Sequence, residues 1–225
     1  MIPWKLIDRA EVPGGGGELC LYKRGSELSI RVDGRELMNN RVHGSEETMA
    51  EYACMRIIHC ARPVVLIGGL GMGYTLAAAL ERLGPQSRVI VAELVPAVVK
   101  WNRGSLADLA GNPLRDGRVT VRETDVARIL EEEGQAYDAI VLDVDNGPVG
   151  LTREGNNWLY TRPGLEAAFR ALRPGGVFAV WSAGPDRTFT ARLRRVGFAV
   201  EEVRTRARGR KGGGWHTIWM ATRRV

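Results

Sequence analysis

The stretch VVLIGGLGMGYTL, residues 64–76, joins an apolar run to a helix-like segment through a loop rich in glycine. The apolar run predicts a buried strand, and the glycines let the chain turn tightly and let a ligand approach the backbone where the helix begins. Gly69, Gly71 and Gly73 have the spacing G-x-G-x-G, whereas a dinucleotide fingerprint needs its third glycine at Tyr74. The loop therefore favours a nucleoside site over NAD, with glycine serving turn geometry alone as the alternative.

From Pro63 onward, short β-rich runs alternate with helix-like segments. This alternation predicts an α/β, Rossmann-like fold, in which a mostly parallel sheet is covered by helices on both faces. The last two runs are joined only by GRKGGG and predict an antiparallel hairpin at the edge of the sheet. The predicted strands are PVVLIGG (63–69), RVIVAEL (88–94), RVTVRET (118–124), YDAIVLD (137–143), GGVFAVWSA (175–183), AVEEVRTRAR (199–208) and WHTIWMATRR (215–224).

The amino-terminal part of the chain has a different pattern. Two short alternating stretches, ELCLYKR (18–24) and ELSIRVDG (27–34), predict a β-hairpin or small meander. Ser45 then resembles a helix N-cap, and the helix is expected to run through residues 46–61, with two glutamates in its first turn. We therefore expect a small β region over residues 1–44 and a Rossmann-like nucleoside-binding domain over residues 45–225.

Composition narrows the class of protein. The chain has 225 residues, of which 44% are hydrophobic, so it is long enough for one full domain. Its net charge of +6 favours the approach of anions on average. No apolar run is long enough to cross a membrane and the first residues do not resemble a secretion signal, so a cytoplasmic protein is expected. Three cysteines predict reduced thiols, and the three histidines form no metal-ligand set.

Acidic residues follow three of the predicted parallel strands, at the sheet edge where open α/β sheets bind ligands. Glu93 lies where a carboxylate accepts hydrogen bonds from ribose hydroxyls. Asp125 is expected to bind an adenine amino group or to cap the next helix, and the two roles are compatible. The stretch VLDVDNGP, residues 141–148, places Asp143 and Asp145 after the fourth strand. These loops together predict an adenosine-type site.

With these loops placed, the sequence resembles the spermidine synthase family, a branch of the class I S-adenosylmethionine-dependent methyltransferase fold. The resemblance rests on VLIGGLGMGYTL, VIVAELVP, TDVARIL, YDAIVLDVDNGP and LYTRPGLEAAFRALRPGGVFAV. It implies binding of S-adenosylmethionine, its decarboxylated form or methylthioadenosine. Glu93 would hold the ribose, Asp125 and Val126 the adenine, and Asp143 would face the reacting end.

Three departures from the family pattern bear on the substrate. Met72 stands where the family has the aspartate that pairs with the amine of an aminopropyl donor. Ala50-Glu51-Tyr52 stands near the position of the family's polyamine-binding Tyr-His-Glu, and Asp145 is displaced by one residue from the family's second aspartate. We therefore expect weak or no aminopropylation of putrescine and an altered donor preference.

The predicted activity is transfer of a methyl or aminopropyl group to a small, amine acceptor. Asp143 and Asp145 are the expected catalytic carboxylates, and Asp145 or Asn146 would orient the acceptor, unless they only form an Asx turn before Gly147-Pro148. Trp158, Tyr160 and Trp181 would line the pocket, or else belong to the core, and residues 149–158 would form a gate. The alternative is a catalytically inactive nucleoside-binding or nucleic-acid-interacting protein on the same fold.

The last hairpin is basic. Arg204, Arg206, Arg208 and Arg210 alternate, with Lys211 at the turn, so a strand would place them on one face. This face would contact nucleic acid weakly, with Trp215 stacking on a base, or would protect an edge strand from self-pairing, which we favour. The family resemblance and the exposed edges of the amino-terminal strands suggest a homodimer, and no membrane contact is expected.

Overall fold

The computed structural model describes residues 2–15, 17–144, 158–209 and 212–224. Asp145, Asn146, most of the predicted gate, Arg210 and Lys211 lie outside these residues, so the predictions made for them stay predictions. Within the described part of the chain there are two sheets, one of four strands and one of seven.

The amino-terminal sheet is an antiparallel meander, which is one of the two forms predicted from the sequence. Its strands run in the order β1-β2-β3-β4. The alternating stretches at residues 18–24 and 27–34 form the two inner strands, and the outer strands had no clear signal because they are short or largely exposed. The bounds are β1 Lys5–Glu11, β2 Glu18–Arg24, β3 Glu27–Val32 and β4 Arg35–Asn39.

The larger sheet confirms the predicted Rossmann-like class. Its strand order is β10-β11-β9-β8-β5-β6-β7, with parallel pairing from β9 to β7 and an antiparallel β10–β11 hairpin at one edge. Every predicted strand is present. The bounds are β5 Val64–Gly68, β6 Arg88–Glu93, β7 Val119–Glu123, β8 Tyr137–Leu142, β9 Leu172–Ser182, β10 Phe198–Arg206 and β11 Trp215–Arg223.

Helices cover both faces of this sheet. Alternate residues of each central strand point to opposite sides, so Val65 and Ile67 belong to one apolar cluster and Leu66 belongs to the other. The first three helices pack on the first cluster and the last three on the second. Their bounds are α1 Gly44–Arg56, α2 Tyr74–Arg82, α3 Pro96–Asn102, α4 Val126–Glu132, α5 Arg162–Ala171 and α6 Arg187–Val196.

Helix α1 begins earlier than predicted. His43 is its N-cap and Ser45 lies within the first turn, so the prediction that Ser45 caps the helix is wrong. The early start follows from a close approach to the β10–β11 hairpin: the Gly44 amide donates to the carbonyl of Ala207 at 3.0 Å. A Cβ atom on Gly44 would lie 2.2 Å from the nitrogen of Gly209, so only glycine fits there. The helix ends at Arg56 rather than at residue 61.

The two sheets share one hydrophobic core. Leu21 and Ile30 of the amino-terminal sheet belong to the same apolar cluster as Val65 and Val141 of the larger sheet. Asp8 of β1 adds a polar link, because its Oδ2 accepts hydrogen bonds from Trp101 Nε1 and Lys100 Nζ, both at 3.0 Å. The amino-terminal sheet is thereby held over the carboxyl ends of the parallel strands.

The basic hairpin has the expected alternation as far as it is described. Arg204 and Arg206 are exposed on β10, and Arg208 follows the strand. The guanidinium of Arg206 lies 3.9 Å from the centre of the Trp215 ring, and that of Arg204 lies 5.1 Å from it. Trp215 therefore packs with the arginines of its own hairpin. Among the described helices, none is both long and apolar enough to cross a membrane.

Candidate active site

The glycine loop brings the ends of three strands together. The Gly69 amide donates to the carbonyl of Ala92, and the Asp143 amide donates to that of Gly68, each at 2.8 Å. Gly69 has a φ of 88°, and a Cβ atom there would lie 2.2 Å from the carbonyl oxygen of Asp143. A side chain at this position would therefore separate β5 from β8, which explains the requirement for glycine.

Glu93 is held rigidly at the end of β6. Only 7% of the residue is exposed. Its Oε2 accepts the amide of Leu70 at 2.9 Å, and its Oε1 accepts the amide of Val95 at 2.8 Å. Glu93 thus stabilises the glycine loop, and its carboxylate is held in a fixed orientation at the strand ends.

Asp125 caps helix α4, which is one of its two predicted roles. Its Oδ1 accepts the amide of Ala127 at 2.9 Å. Val126 follows at the first helical position and is buried, with its side chain close to Gly68. Both residues also border the cavity described next, so the capping role leaves the ligand role of Asp125 available.

A first cavity lies between the strand ends and the amino-terminal sheet. It encloses about 850 Å³, a volume that includes its open mouth. Apolar side chains of the amino-terminal sheet form its roof, and the acids Glu93, Asp125 and Asp143 are the charged groups among its described lining residues. The roof consists of Val12, Leu19, Ile30, Val32, Leu37 and Met38.

Asp143 is fixed by two hydrogen-bond donors, one for each of its oxygens. The hydroxyl of Thr75, in the first turn of α2, donates to Oδ2 at 2.6 Å. The indole Nε1 of Trp181, near the end of β9, donates to Oδ1 at 3.0 Å. Burial raises the pKa of Asp143, while these two hydrogen bonds to the charged form oppose the shift.

A second cavity adjoins the first at Asp143. It encloses about 790 Å³ including its mouth and shares Asp143, Leu37 and Met38 with the first cavity. Its other described lining residues are mainly polar, and two of them, Ser45 and Glu46, lie in the first turn of α1. The full set is Glu36, Asn39, Val42, Ser45, Glu46, Trp181, Ala183 and His216. Asp143 therefore stands where the two cavities meet.

Besides Asp143, two titratable groups of the second cavity have shifted pKa values. Burial, followed by the charges of Asp143 and Glu47, raises the pKa of Glu46 well above its usual value. Burial lowers the pKa of His216, so its imidazole is neutral at neutral pH. The ring of His216 stacks on Trp181 with 5.1 Å between centres, and its Nδ1 lies 2.9 Å from the hydroxyl of Ser45.

Several predicted site residues lie elsewhere. Tyr160 is only 4% exposed; its hydroxyl donates to the carbonyl of Val144 at 3.2 Å, and it lines neither cavity. Gly73 is the N-cap of α2 and also lies outside both linings. Met72 is 2% exposed and belongs to the core. Of the residues at 50–52, Ala50 is buried and Glu51 pairs with Arg82 at the surface.

The sequence did not reveal Glu46, Thr75 and His216 as site residues. The sequence pattern accounts for Glu46 by the favourable interaction of an acid with the helix dipole. It gives His216 no role, because the three histidines do not form a metal-ligand set. The available signal for Thr75 was its position two residues after Gly73, since residues at the start of a helix that follows a glycine loop face the strand ends. Nothing in the local sequence pairs residue 46 with residue 216.

The sequence is similar to known proteins over half of the chain or more. Over 117 residues, or 52% of the chain, the sequence is 37% identical to putrescine N-methyltransferase 4 of Nicotiana tabacum, of which 28% is covered. It is 27% identical over 192 residues, or 81% of the chain, to the polyamine aminopropyltransferase of Mycobacterium tuberculosis, of which 35% is covered. The chain thus spans about a third of the length of these relatives.

The fold matches a solved structure closely. The spermidine synthase from Thermotoga maritima superposes with a TM-score of 0.75 over 97% of this chain and 73% of that protein, at 19% identity. The model of the spermine/spermidine synthase domain matches residues 43–188, which run from the N-cap of α1 into α6. This range includes the glycine loop, Glu93, Asp125 and Asp143. The chain therefore belongs to the spermine/spermidine synthase family.

Proposed function

We propose that the protein is a transferase that moves a methyl or aminopropyl group from S-adenosylmethionine or decarboxylated S-adenosylmethionine to a small amine. The observation that carries this proposal is the position of Asp143 where two cavities meet. Displacement at a sulfonium requires the attacking nitrogen to approach the reacting carbon from the side opposite to the leaving sulfur. Two adjoining cavities suit this arrangement, because each would hold one reactant.

The first cavity suits the donor. Its described lining has three acids and no lysine, arginine or histidine, which favours a cationic sulfonium and disfavours the diphosphate of NAD. The fixed oxygens of Glu93 would accept the ribose hydroxyls, while Asp125 and Val126 would contact the adenine. Gly69 and Gly71 border the same cavity, with Met38 on the facing side of Gly71.

When bound, the sulfonium supplies an electrophilic carbon and a neutral thioether as leaving group. The chain supplies position and charge. Asp143, oriented by Thr75 and Trp181, would attract the amino group of the acceptor toward the boundary between the cavities. The apolar roof would reduce the contact of a bound donor with water, which would strengthen these electrostatic interactions. Asp145 and Asn146 are proposed to complete the acceptor side, as their sequence position after Asp143 suggests.

The relatives support an amine as acceptor. The tobacco protein is named for methylation of putrescine and the mycobacterial protein for aminopropylation of polyamines. Methyl transfer is the activity we weight more strongly, because Met72 is buried in the core and supplies no carboxylate for a donor amine. In addition, residues 50–52 are outside the lining of both cavities.

Calorimetric titration with S-adenosylmethionine, decarboxylated S-adenosylmethionine and methylthioadenosine tests the donor site. We expect methylthioadenosine and at least one of the donors to bind, and the absence of binding by all three would refute the proposal. Mass analysis of products formed from each donor with putrescine then tests transfer. Methylthioadenosine binding without any product over a panel of small amines would instead indicate a nucleoside-binding protein without transferase activity.

A further inference from the structure

The first turn of helix α1 lines the second cavity. Three contacts to the β10–β11 hairpin fix this turn: the Gly44 amide to the carbonyl of Ala207, Ser45 to His216, and Thr48 to Thr205. Ser45 itself is 3% exposed. Glu46 follows directly and lines the cavity that Asp143, Trp181 and His216 also line. The orientation of Glu46 toward this cavity is therefore determined by the docking of the helix.

Glu36, Glu46 and Asp143 are the three acids of the described lining, and the last two differ in their partners. Asp143 accepts one hydrogen bond on each oxygen, from Thr75 and from Trp181. Glu46 accepts no side-chain hydrogen bond from the residues that the structure describes, whereas its neighbour Glu47 pairs with His43 at 2.8 Å. Glu46 thus has both oxygens available to a ligand in the cavity, and Asp143 is already committed to an orientation.

We propose that Glu46 binds the amino group of the acceptor and takes its proton before transfer, while Asp143 holds that group at the boundary between the cavities. This inference rests on the proposed function and assigns to Glu46 a catalytic role that the resemblance did not suggest. The lining suits an ammonium group, because it includes the carboxyl groups of Glu46 and Asp143 together with the ring of Trp181.

The bond changes balance as follows. An acceptor arrives as an ammonium and gives one proton to the carboxylate of Glu46, which becomes neutral. The freed lone pair forms the new carbon–nitrogen bond while the carbon–sulfur bond breaks, and sulfur keeps that electron pair. The product nitrogen then carries the positive charge that sulfur has lost. Glu46 returns its proton to water at the mouth of the cavity, and no other reactant is needed.

The environment of Glu46 suits a proton acceptor. Burial and the charge of Asp143 favour its protonated form and raise its pKa well above that of an exposed glutamate, which is the direction that suits a proton acceptor. Its place in the first turn of α1 stabilises the charged form, so both protonation states are accessible. The titratable groups around it are His43 and Glu47 at the start of α1, Glu36 of β4, Tyr74 of α2, Asp143 and His216.

The test uses the whole protein saturated with methylthioadenosine and putrescine as the probe amine. We expect wild-type protein to bind putrescine more tightly as pH rises, because protonated Glu46 cannot pair with an ammonium whose own pKa is near 10. Glu46→Gln should weaken putrescine binding at least about tenfold and flatten this pH dependence, since Asp143 alone continues to titrate. Glu81→Gln, which alters an exposed acid of α2 outside both cavity linings, should bind putrescine like wild type.

Turnover provides the second measurement. With S-adenosylmethionine as donor, Glu46→Gln should lower kcat/KM for the amine by roughly 100-fold or more and leave the dissociation constant of methylthioadenosine within about twofold. Unchanged putrescine affinity in Glu46→Gln, an unchanged pH profile, or no putrescine binding to the wild-type complex would overturn the role of Glu46. Loss of methylthioadenosine binding by wild type would instead refute the proposed function, and the inference with it.

Discussion

The hydroxyl of Thr75 donates a 2.6 Å hydrogen bond to Oδ2 of Asp143, across the boundary between helix α2 and strand β8. Thr75 is 1% exposed, so this bond forms away from bulk water. Burial alone would drive Asp143 toward its neutral form, and Thr75 and Trp181 oppose that shift. The glycine loop thus leads into a helix whose first turn supplies a hydrogen-bond donor to Asp143.

Replacing Thr75 by valine tests this relationship. Thr75→Val keeps the shape of the side chain but removes a hydrogen bond to a charged group, so the pKa of Asp143 should rise further. Since the ionised carboxylate is the active form, the acid limb of the pH–rate profile should move to higher pH by roughly one unit. Thr190→Val is the matched control, because it removes another buried hydroxyl, one bonded to Glu202 and Trp219. A profile that moved equally in both variants would contradict the assignment to Asp143.

Glu93→Gln should separate donor binding from loop stability. The amide oxygen replaces only one of the two carboxylate oxygens, so the amide of either Leu70 or Val95 loses its acceptor. We expect the free energy of unfolding to fall by about 1–3 kcal/mol and methylthioadenosine to bind at least about tenfold more weakly. Calorimetry and chemical denaturation measure the two effects. Glu123→Gln, at the exposed end of the neighbouring strand, should change neither quantity.

The sequence predicted those parts of the fold that depend on local pattern. The runs that contain Leu66, Ile140 and Phe178 are apolar on both faces, which is typical of strands covered by helices on both sides. Gly69, Glu93, Asp125 and Asp143 were identifiable because each follows a strand, and the carboxyl ends of parallel strands meet at one edge of the sheet.

The second cavity depends on contacts that no local pattern encodes. Glu46 and His216 are far apart in sequence and line one cavity because α1 docks against the β10–β11 hairpin. That docking depends on the absence of a side chain at Gly44, which the sequence alone does not distinguish from a flexible glycine before a helix. For the same reason Ser45 resembled an N-cap, although its hydroxyl contacts His216.

A pH-dependent contribution is expected from Asp8. Hydrogen bonds from Trp101 and Lys100 lower its pKa from 3.8 to about 2, so its charge stabilises the folded state above its ordinary pKa. This stabilisation is lost as pH falls from 3.8 to about 2. Asp8→Asn keeps an oxygen for Trp101 and removes the charge. We expect a slightly lower melting temperature than wild type at pH 7, and a difference that shrinks as the pH falls toward and below 2. A difference that persisted unchanged at pH 2 would show that the charge is not responsible.

Gly69→Ala should disrupt fold and site together. The residue has a φ of 88°, which costs an alanine about 1–2 kcal/mol, and the added Cβ would lie 2.2 Å from the carbonyl oxygen of Asp143. Since the hydrogen bond between the Asp143 amide and Gly68 lies directly beside this contact, β8 must move away from β5.

We therefore expect Gly69→Ala to lower the free energy of unfolding by roughly 3 kcal/mol or more, with methylthioadenosine binding lost. Gly84→Ala is the control, because no atom lies within 4 Å of its Cβ position and its φ is outside the left-handed region. Chemical denaturation of the control should agree with wild type within about 1 kcal/mol. If Gly69→Ala were as stable as Gly84→Ala and still bound methylthioadenosine, the close approach of β5 and β8 would not be what shapes the donor site.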